Sequence, residues 1–147
     1  MKTRISIEKI YPKAFHALIA LDQTIRESDI DKWHQELIKI RASQLNGCAY
    51  CLDKHSQDAI ALGANVRKLN VIATWKEALS HFTEEEQQIL LLTEEITLIG
   101  NHGLSDEVFK KCITIFGEEH TSQLILAATV INAWNRIGVG FKMEPVF

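Results

Sequence analysis

Apolar residues recur along much of the chain at intervals of three and four positions, the spacing that collects them on one face of an α-helix. The first such stripe follows Pro12, which suits the first turn of a helix, and consists of Ala14, Leu18, Leu21 and Ile25. The second begins near residues 28–31, where capping residues cluster, and consists of Ile30, Trp33, Leu37 and Ile40. These patterns predict two amphipathic helices in the first third of the chain.

Turn and capping residues divide the rest of the chain into further helices. Asn46-Gly47 is a strong stop signal after the second helix, and Thr83 with Glu86 forms a capping box at the start of a later one. Glycines end three of the segments, which span about residues 47–62, 65–75, 83–99, 105–117 and 118–136. Because no alternating run is long enough to build a sheet, we predict an all-α fold. Residues 1–147 are expected to form a single-domain bundle of about six to seven helices.

The last predicted helix is unusual because its stretch LILAATVI, residues 124–131, is apolar on almost every side. A helix with this pattern must be covered on every side. It is therefore either the central helix of the bundle or has one face in a subunit interface. A homo-oligomer is accordingly expected.

Composition and charge exclude several classes of protein. The 147 residues are 46% hydrophobic and 24% charged, with a net charge of −3. The basic residues are scattered, so the electrostatic stripe typical of nucleic-acid binding is missing. No apolar run approaches the roughly 20 residues of a membrane span, and the N-terminal segment lacks the apolar core of a signal peptide. We therefore expect a cytoplasmic protein whose three cysteines do not form a structural disulfide framework.

Two of those cysteines, Cys48 and Cys51, fall in one sector of the third helix with His55. At about 100° per residue, this sector spans roughly 80° and continues through Ala59 and Leu62. Cysteines three positions apart on a helix can close a disulfide reversibly, and the first turn of a helix favours the reactive thiolate. His55 is one turn beyond Cys51 and two turns beyond Cys48. We therefore predict that Cys51 is the nucleophile and Cys48 the resolving thiol.

Glu36 is predicted to support this pair from the preceding helix. The short connection at Asn46-Gly47 allows the two helices to pack as a hairpin, which would bring Glu36 to His55 directly or through water. A cysteine, a histidine and a carboxylate in this order form the usual arrangement for activating a nucleophile. The predicted catalytic residues are Cys51, Cys48, His55 and Glu36.

The stretch ELIKIRASQLNGCAYCLDKHSQDAIALG, residues 36–63, resembles the core of the alkylhydroperoxidase D-like, carboxymuconolactone decarboxylase superfamily. That core has a glutamate, eleven residues, Cys-x-x-Cys, three residues and a histidine, and Glu36, Cys48, Cys51 and His55 match it. The similarity extends to the Trp75 region, the FTEEE helix start and the terminal INAWNRIG. It implies an all-helical subunit that assembles into a trimer or hexamer.

The resemblance also implies an activity. It predicts a thiol-dependent peroxidase that reduces hydroperoxides, closes a Cys48–Cys51 disulfide and is reset by an external thiol reductant, with no bound cofactor or metal. Glu36 and His55 would form the proton relay. Tyr50 departs from the best-studied branch, which has a histidine before the second cysteine. The decarboxylase branch generally lacks the cysteine pair, so its lactone chemistry is the weaker expectation.

Other functions for the same residues stay open at this point. Cys48, Cys51, His55 and Glu36 include the right types to bind zinc, although an array spread over two helical turns separates its ligands along the axis. The site would then belong to a zinc-binding or structural scaffold. A third hypothesis keeps the redox pair but makes it a thiol sensor or a disulfide reductase.

Overall fold

Helices make up most of residues 4–146, the part of the chain that the computed structural model describes. The α-helices are α1 (Ile7–Ile10), α2 (Pro12–Arg26), α3 (Lys32–Asn46), α4 (Ala49–Ala61), α5 (Val66–Val71), α6 (Glu84–Thr97), α7 (Ile99–His102) and α8 (Asp106–Gly140). Two 3₁₀ helices, Ile72–Glu77 and Leu79–His81, connect α5 to α6. Since these residues contain no strand, the all-α prediction is confirmed. The helices beyond the seven predicted segments, α1 and α7, are one-turn elements.

The helix boundaries follow the capping residues of the sequence. The side chains of Asp31, Asn65 and Ser105 each accept a hydrogen bond from a backbone N–H in the first turn of α3, α5 and α8. Thr83 and Glu86 form the predicted capping box of α6. These local bonds satisfy donors that a helix start leaves unpaired.

The core forms where α3, α6 and α8 pack together. Leu37, Ile38 and Ile40 of α3 are fully buried, as are the α6 residues Ile89, Leu90 and Leu92. Leu124, Ala128 and Ile131 of α8 complete this contact. The apolar stretch 124–131 is thus largely covered within one chain, although Leu126 is exposed. The predicted trimer or hexamer stays a prediction.

The carboxylates of Glu86, which is buried, and Glu94, which is half-buried, tie the intervening segments to this core. Glu86 accepts hydrogen bonds from the indole N–H of Trp33 and from Lys68, and Glu94 accepts from Trp75, Arg41 and Lys76. Burial raises the pKa of both carboxyls, but these donors outweigh it and keep each pKa below its ordinary value. Glu86 therefore holds Trp33 and Lys68 in addition to capping the start of α6.

No helix within residues 4–146 has both the length and the apolar character to cross a membrane.

Gly117 breaks α8 into two parts at the position where the sequence predicts a helix end. Its φ of 78° and ψ of 173° lie in a region that side-chain-bearing residues rarely adopt. Gly117→Ala is therefore expected to lower the free energy of unfolding by about 1–3 kcal/mol.

Urea denaturation of Gly117→Ala, compared with Gly100→Ala, isolates this backbone effect. An added Cβ meets nothing within 4 Å at either position, and Gly100 has no positive φ. The Gly100 variant should stay within about 0.5 kcal/mol of the wild type. Equal stability of the two variants would contradict the backbone explanation.

Candidate active site

The cysteine pair lies where α3 ends and α4 begins. Gly47 closes α3 in the left-handed conformation, with φ of 65°. Cys48 follows as the N-cap of α4, and its Sγ accepts a hydrogen bond from the backbone N–H of Cys51 at 3.3 Å. The two cysteines are joined by a disulfide, and their Cα atoms are 5.3 Å apart. The sequence spacing therefore brings the two sulfurs together within a single helical turn.

The predicted helical stripe is correct except at its end. Cys48, Cys51, His55 and Ala59 are all buried. Leu62, which was expected to continue the stripe into the interior, is instead 53% exposed. It is the C-cap residue of α4, where the chain turns away from the core toward Gly63.

Glu36 and His55 are in direct contact across the α3–α4 hairpin. His55 Nδ1 lies 2.8 Å from Oε2 of Glu36, and both side chains are buried. The other carboxylate oxygen, Oε1, accepts a hydrogen bond from Lys39 Nζ at 2.8 Å. The sequence paired Glu36 with His55 but assigned no role to Lys39, which lies one turn further along α3.

The surroundings of Glu36 keep it ionised. Burial raises the pKa of the Glu36 carboxyl, but the hydrogen bond from His55 and the charge of Lys39 outweigh it, so the pKa lies below its ordinary value. An ionised carboxylate can only accept hydrogen bonds. The proton of a neutral His55 is therefore on Nδ1, which leaves Nε2 free as an acceptor.

A pocket of about 380 Å³ gives access to this centre from solvent. Cys51 and His55 line it, whereas Cys48 does not. Phe15, Ile19, Tyr50, Trp134 and Met143 supply its apolar wall, and Asp22, Gln23, Arg26 and Lys54 supply its polar lining. Tyr50, which stands directly before the second cysteine in the sequence, thus lines the pocket. Phe15 and Trp134 meet edge to face, with ring centroids 5.5 Å apart.

A buried amide network fixes the end of α3 against α8. Asn46 Nδ2 donates to Oδ1 of Asn132 and of Asn135, both at 2.9 Å. Asn135 in turn donates to Ser43, and Asn132 to Thr97. This network was not predicted from the sequence, although asparagines in the most apolar helix indicate buried hydrogen-bond partners. Because Asn46 is two residues before Cys48, the network positions the entry to the cysteine pair.

Within residues 4–146, the group that converges closely enough for a metal ion is Glu36, His55 and Asp58, each of which offers a ligand atom within 4.8 Å of the others. This set contains neither cysteine, so it differs from the zinc set that the sequence suggested. Glu36 is already paired with Lys39, and Asp58 with Lys54 at 2.8 Å. With two ammonium groups neutralising the two carboxylates, the cluster fits a divalent cation poorly.

The chain is similar to proteins of a known family. A model of the carboxymuconolactone decarboxylase family matches residues 12–95, which include all four predicted site residues. The uncharacterized protein YdfG of Bacillus subtilis (strain 168) is 34% identical over 139 residues, or 95% of this chain and 94% of that protein.

Two solved structures share the fold. A protein of unknown function from Agrobacterium tumefaciens, described as a candidate antioxidant defence protein AhpD, superposes with a TM-score of 0.95 and 35% identity. The match covers 99% of this chain and 100% of that one. An uncharacterized peroxidase-related protein from Silicibacter sp. TM1040 has a TM-score of 0.80 over 92% of this chain and 71% of that one. At 17% identity, this second likeness bears on the fold alone.

The Lys39–Glu36 contact predicts a pH-dependent loss of stability. Folding lowers the pKa of Glu36. The Lys39–Glu36 pair therefore stabilises the protein fully when the pH is above the ordinary glutamate pKa of about 4.3. This stabilisation is lost as the pH falls through the pKa that Glu36 has in the folded protein. Lys39→Met should raise the pKa of Glu36 and reduce stability by about 3 kcal/mol at neutral pH. The deficit should shrink in acid, where Glu36 is protonated.

Urea unfolding at neutral and acidic pH measures this effect, with Lys54→Met as the matched control. The Lys54–Asp58 pair has side chains 44% and 38% exposed, against 6% and 8% for Lys39 and Glu36. Its loss should cost at most about 1 kcal/mol. A Lys39→Met deficit that is the same at both pH values would contradict the assignment.

Proposed function

We propose that this chain, which belongs to the carboxymuconolactone decarboxylase family, is a thiol-dependent peroxidase that cycles between a Cys48–Cys51 dithiol and its disulfide. The family match confirms the family that the sequence motif predicted. The observation that carries the proposal is the position of Cys51 and His55 in one open pocket, with His55 bonded to an ionised glutamate.

The first step oxidises Cys51. His55, held through Nδ1 by Glu36, accepts the thiol proton at Nε2, and the thiolate attacks the terminal oxygen of a hydroperoxide. The O–O bond breaks, Cys51 becomes a sulfenic acid, and the alkoxide leaves with the proton from His55 as an alcohol. The lining of the pocket supports this assignment of roles, because Cys51 is accessible from the pocket and Cys48 is not.

The second step closes the disulfide. The thiolate of Cys48 attacks the sulfur of Cys51, the S–O bond breaks, and hydroxide leaves with the Cys48 proton as water. Two thiols are oxidised for each peroxide reduced, so an external thiol reductant must return two electrons to the pair. The expected cytoplasmic location would supply such a reductant, and the cycle uses no bound cofactor.

Two features favour redox chemistry over the alternatives. The two sulfurs are joined in a disulfide, the oxidised state of the proposed cycle, and the described residues that converge closely enough for a metal ion include neither cysteine. The relative from Agrobacterium tumefaciens is described in terms of antioxidant defence. The lactone reaction in the family's name uses no cysteine pair, so it leaves the most buried part of this site without a role.

Variants of the two cysteines test the order of events. Cys51→Ser should lose peroxide reduction because no thiolate faces the pocket. Cys48→Ser should react once and stop as a species one oxygen atom heavier, detected by intact-mass analysis and trapped with dimedone. The wild type should become two hydrogen atoms lighter.

A Cys51→Ser protein with wild-type turnover would rule out this mechanism. If the wild type reduces a small disulfide substrate but survives hydroperoxide with all its thiols, the pair acts as a disulfide reductase instead.

The apolar pocket wall predicts a preference for organic hydroperoxides. Ile19 lines the pocket and is 42% exposed, so it can be changed without opening the core. Ile19→Asn should slow the reaction with cumene hydroperoxide by about tenfold, the lower end of what one apolar contact contributes in a substrate pocket. The rate of the Ile19→Asn variant with hydrogen peroxide should not change.

The matched control is Ile60→Asn on α4, which is similarly exposed at 49% but lies outside this pocket. Stopped-flow assays of the three proteins with both peroxides give the comparison. Parallel loss with both peroxides in Ile19→Asn would show that the wall does not select the substrate.

A further inference from the structure

Gly138 brings the backbone of α8 directly against the two sulfurs. A Cβ atom built on Gly138 would lie 2.7 Å from Sγ of Cys48 and 3.3 Å from Sγ of Cys51. Cβ atoms in real structures essentially never approach another heavy atom closer than 3.0 Å. The disulfide therefore occupies space that any other residue at this position would fill.

The need for glycine here is steric and not conformational. Gly138 has no positive φ and lies within α8, where glycine is less favourable than alanine. Two residues further along the same helix, Gly140 has nothing within 4 Å of its virtual Cβ. Of these two helical glycines in one turn, the buried Gly138 has the sulfurs beside it, whereas Gly140 is exposed at the end of the helix.

We propose that Gly138 is a positioning residue for closure of the Cys48–Cys51 disulfide, because its missing side chain leaves the space in which Cys48 Sγ reaches Cys51. The inference rests on the proposed peroxidase cycle. It concerns the second step, in which the Cys48 thiolate attacks the Cys51 sulfur, the S–O bond breaks and hydroxide leaves to form water.

The two sulfurs are not equally crowded, and this makes the effect specific to one step. The shorter virtual contact is to Cys48, the sulfur that must take up its disulfide position for the second step. Cys51 meets the peroxide from the pocket, which Gly138 does not line. A methyl group at position 138 should therefore obstruct disulfide closure much more than the attack of Cys51 on peroxide.

A delayed second step has a chemical consequence. A sulfenic acid that is not captured by a thiol can react with a second hydroperoxide, which transfers one oxygen atom and leaves as an alcohol, to give sulfinic acid. External thiols do not reverse that product. Gly138 would thus protect the enzyme from inactivation by its own substrate.

The experiment compares Gly138→Ala with Gly140→Ala by rapid mixing of the reduced proteins with one equivalent of cumene hydroperoxide. Dimedone trapping and intact mass follow the sulfenic acid and the disulfide separately. In Gly138→Ala we expect sulfenic acid to form at the wild-type rate and disulfide to form at least about tenfold more slowly, as overpacking of one state implies. Excess peroxide should then convert it to sulfinic acid. Gly140→Ala should match the wild type throughout.

Disulfide formation in Gly138→Ala at the wild-type rate would overturn the inference while leaving the peroxidase intact. If wild-type thiols do not react with peroxide, the proposed function fails, and the inference is decided by equilibration with glutathione buffers. Gly138→Ala should then hold less disulfide than the wild type at every ratio of reduced to oxidised glutathione, and equal fractions would overturn it.

A double variant covers the case in which Gly138→Ala does not fold. Cys48→Ala removes the sulfur at 2.7 Å and leaves only the longer contact of 3.3 Å to Cys51, so the double variant Cys48→Ala/Gly138→Ala should fold, and Gly138→Ala should cost much less stability in urea denaturation there than it does beside Cys48. If Gly138→Ala is equally destabilising in the presence and absence of the Cys48 sulfur, the glycine serves general helix packing and the inference is wrong.

Discussion

The buried carboxylate of Glu36 is the group on which the arrangement of the site depends. Isolated in the interior, it would be too costly to keep ionised. His55 from α4 and Lys39 from its own helix each donate one hydrogen bond, so both oxygens are satisfied. Because one partner lies on each side of the α3–α4 hairpin turn, the same interaction fixes the hairpin and orients the imidazole. The contacts that hold the hairpin together are therefore the same contacts that position His55 for the proposed proton transfer.

A second constraint comes from α8, which contributes both to the pocket and to the packing around the cysteine pair. Asn132 and Asn135 bind Asn46 at the end of α3, and Trp134 between them lines the pocket. One turn further on, Gly138 lies against the sulfurs. These residues fall on two faces of the same helix, so α8 anchors the chain before Cys48 and also packs against the disulfide.

Contacts between residues close in the sequence could be predicted, and prediction became less accurate as the separation along the chain increased. The helix types, the capping box at Thr83 and the shared face of Cys51 and His55 all follow from spacings of three or four residues. Glu36 could be placed because one short turn connects its helix to α4. Leu62 was misplaced since helical periodicity does not show where a helix leaves the core. The pocket wall from α2 and the contact of Gly138 could not be predicted, because they join segments far apart in the chain.

The difference between the two cysteines can now be traced to three separate environments. The helical spacing relates His55 to Cys51, Cys51 lines the pocket whereas Cys48 does not, and a Cβ at position 138 would lie closer to Cys48 Sγ than to Cys51 Sγ. Any one of these would distinguish the sulfurs weakly. The first arises within α4, the second from the wall that α2 and α8 build, and the third from the last turns of α8, so different contacts produce them. Together they support the proposal that Cys51 meets the oxidant and Cys48 closes the disulfide, which is the order that a two-cysteine peroxidase needs.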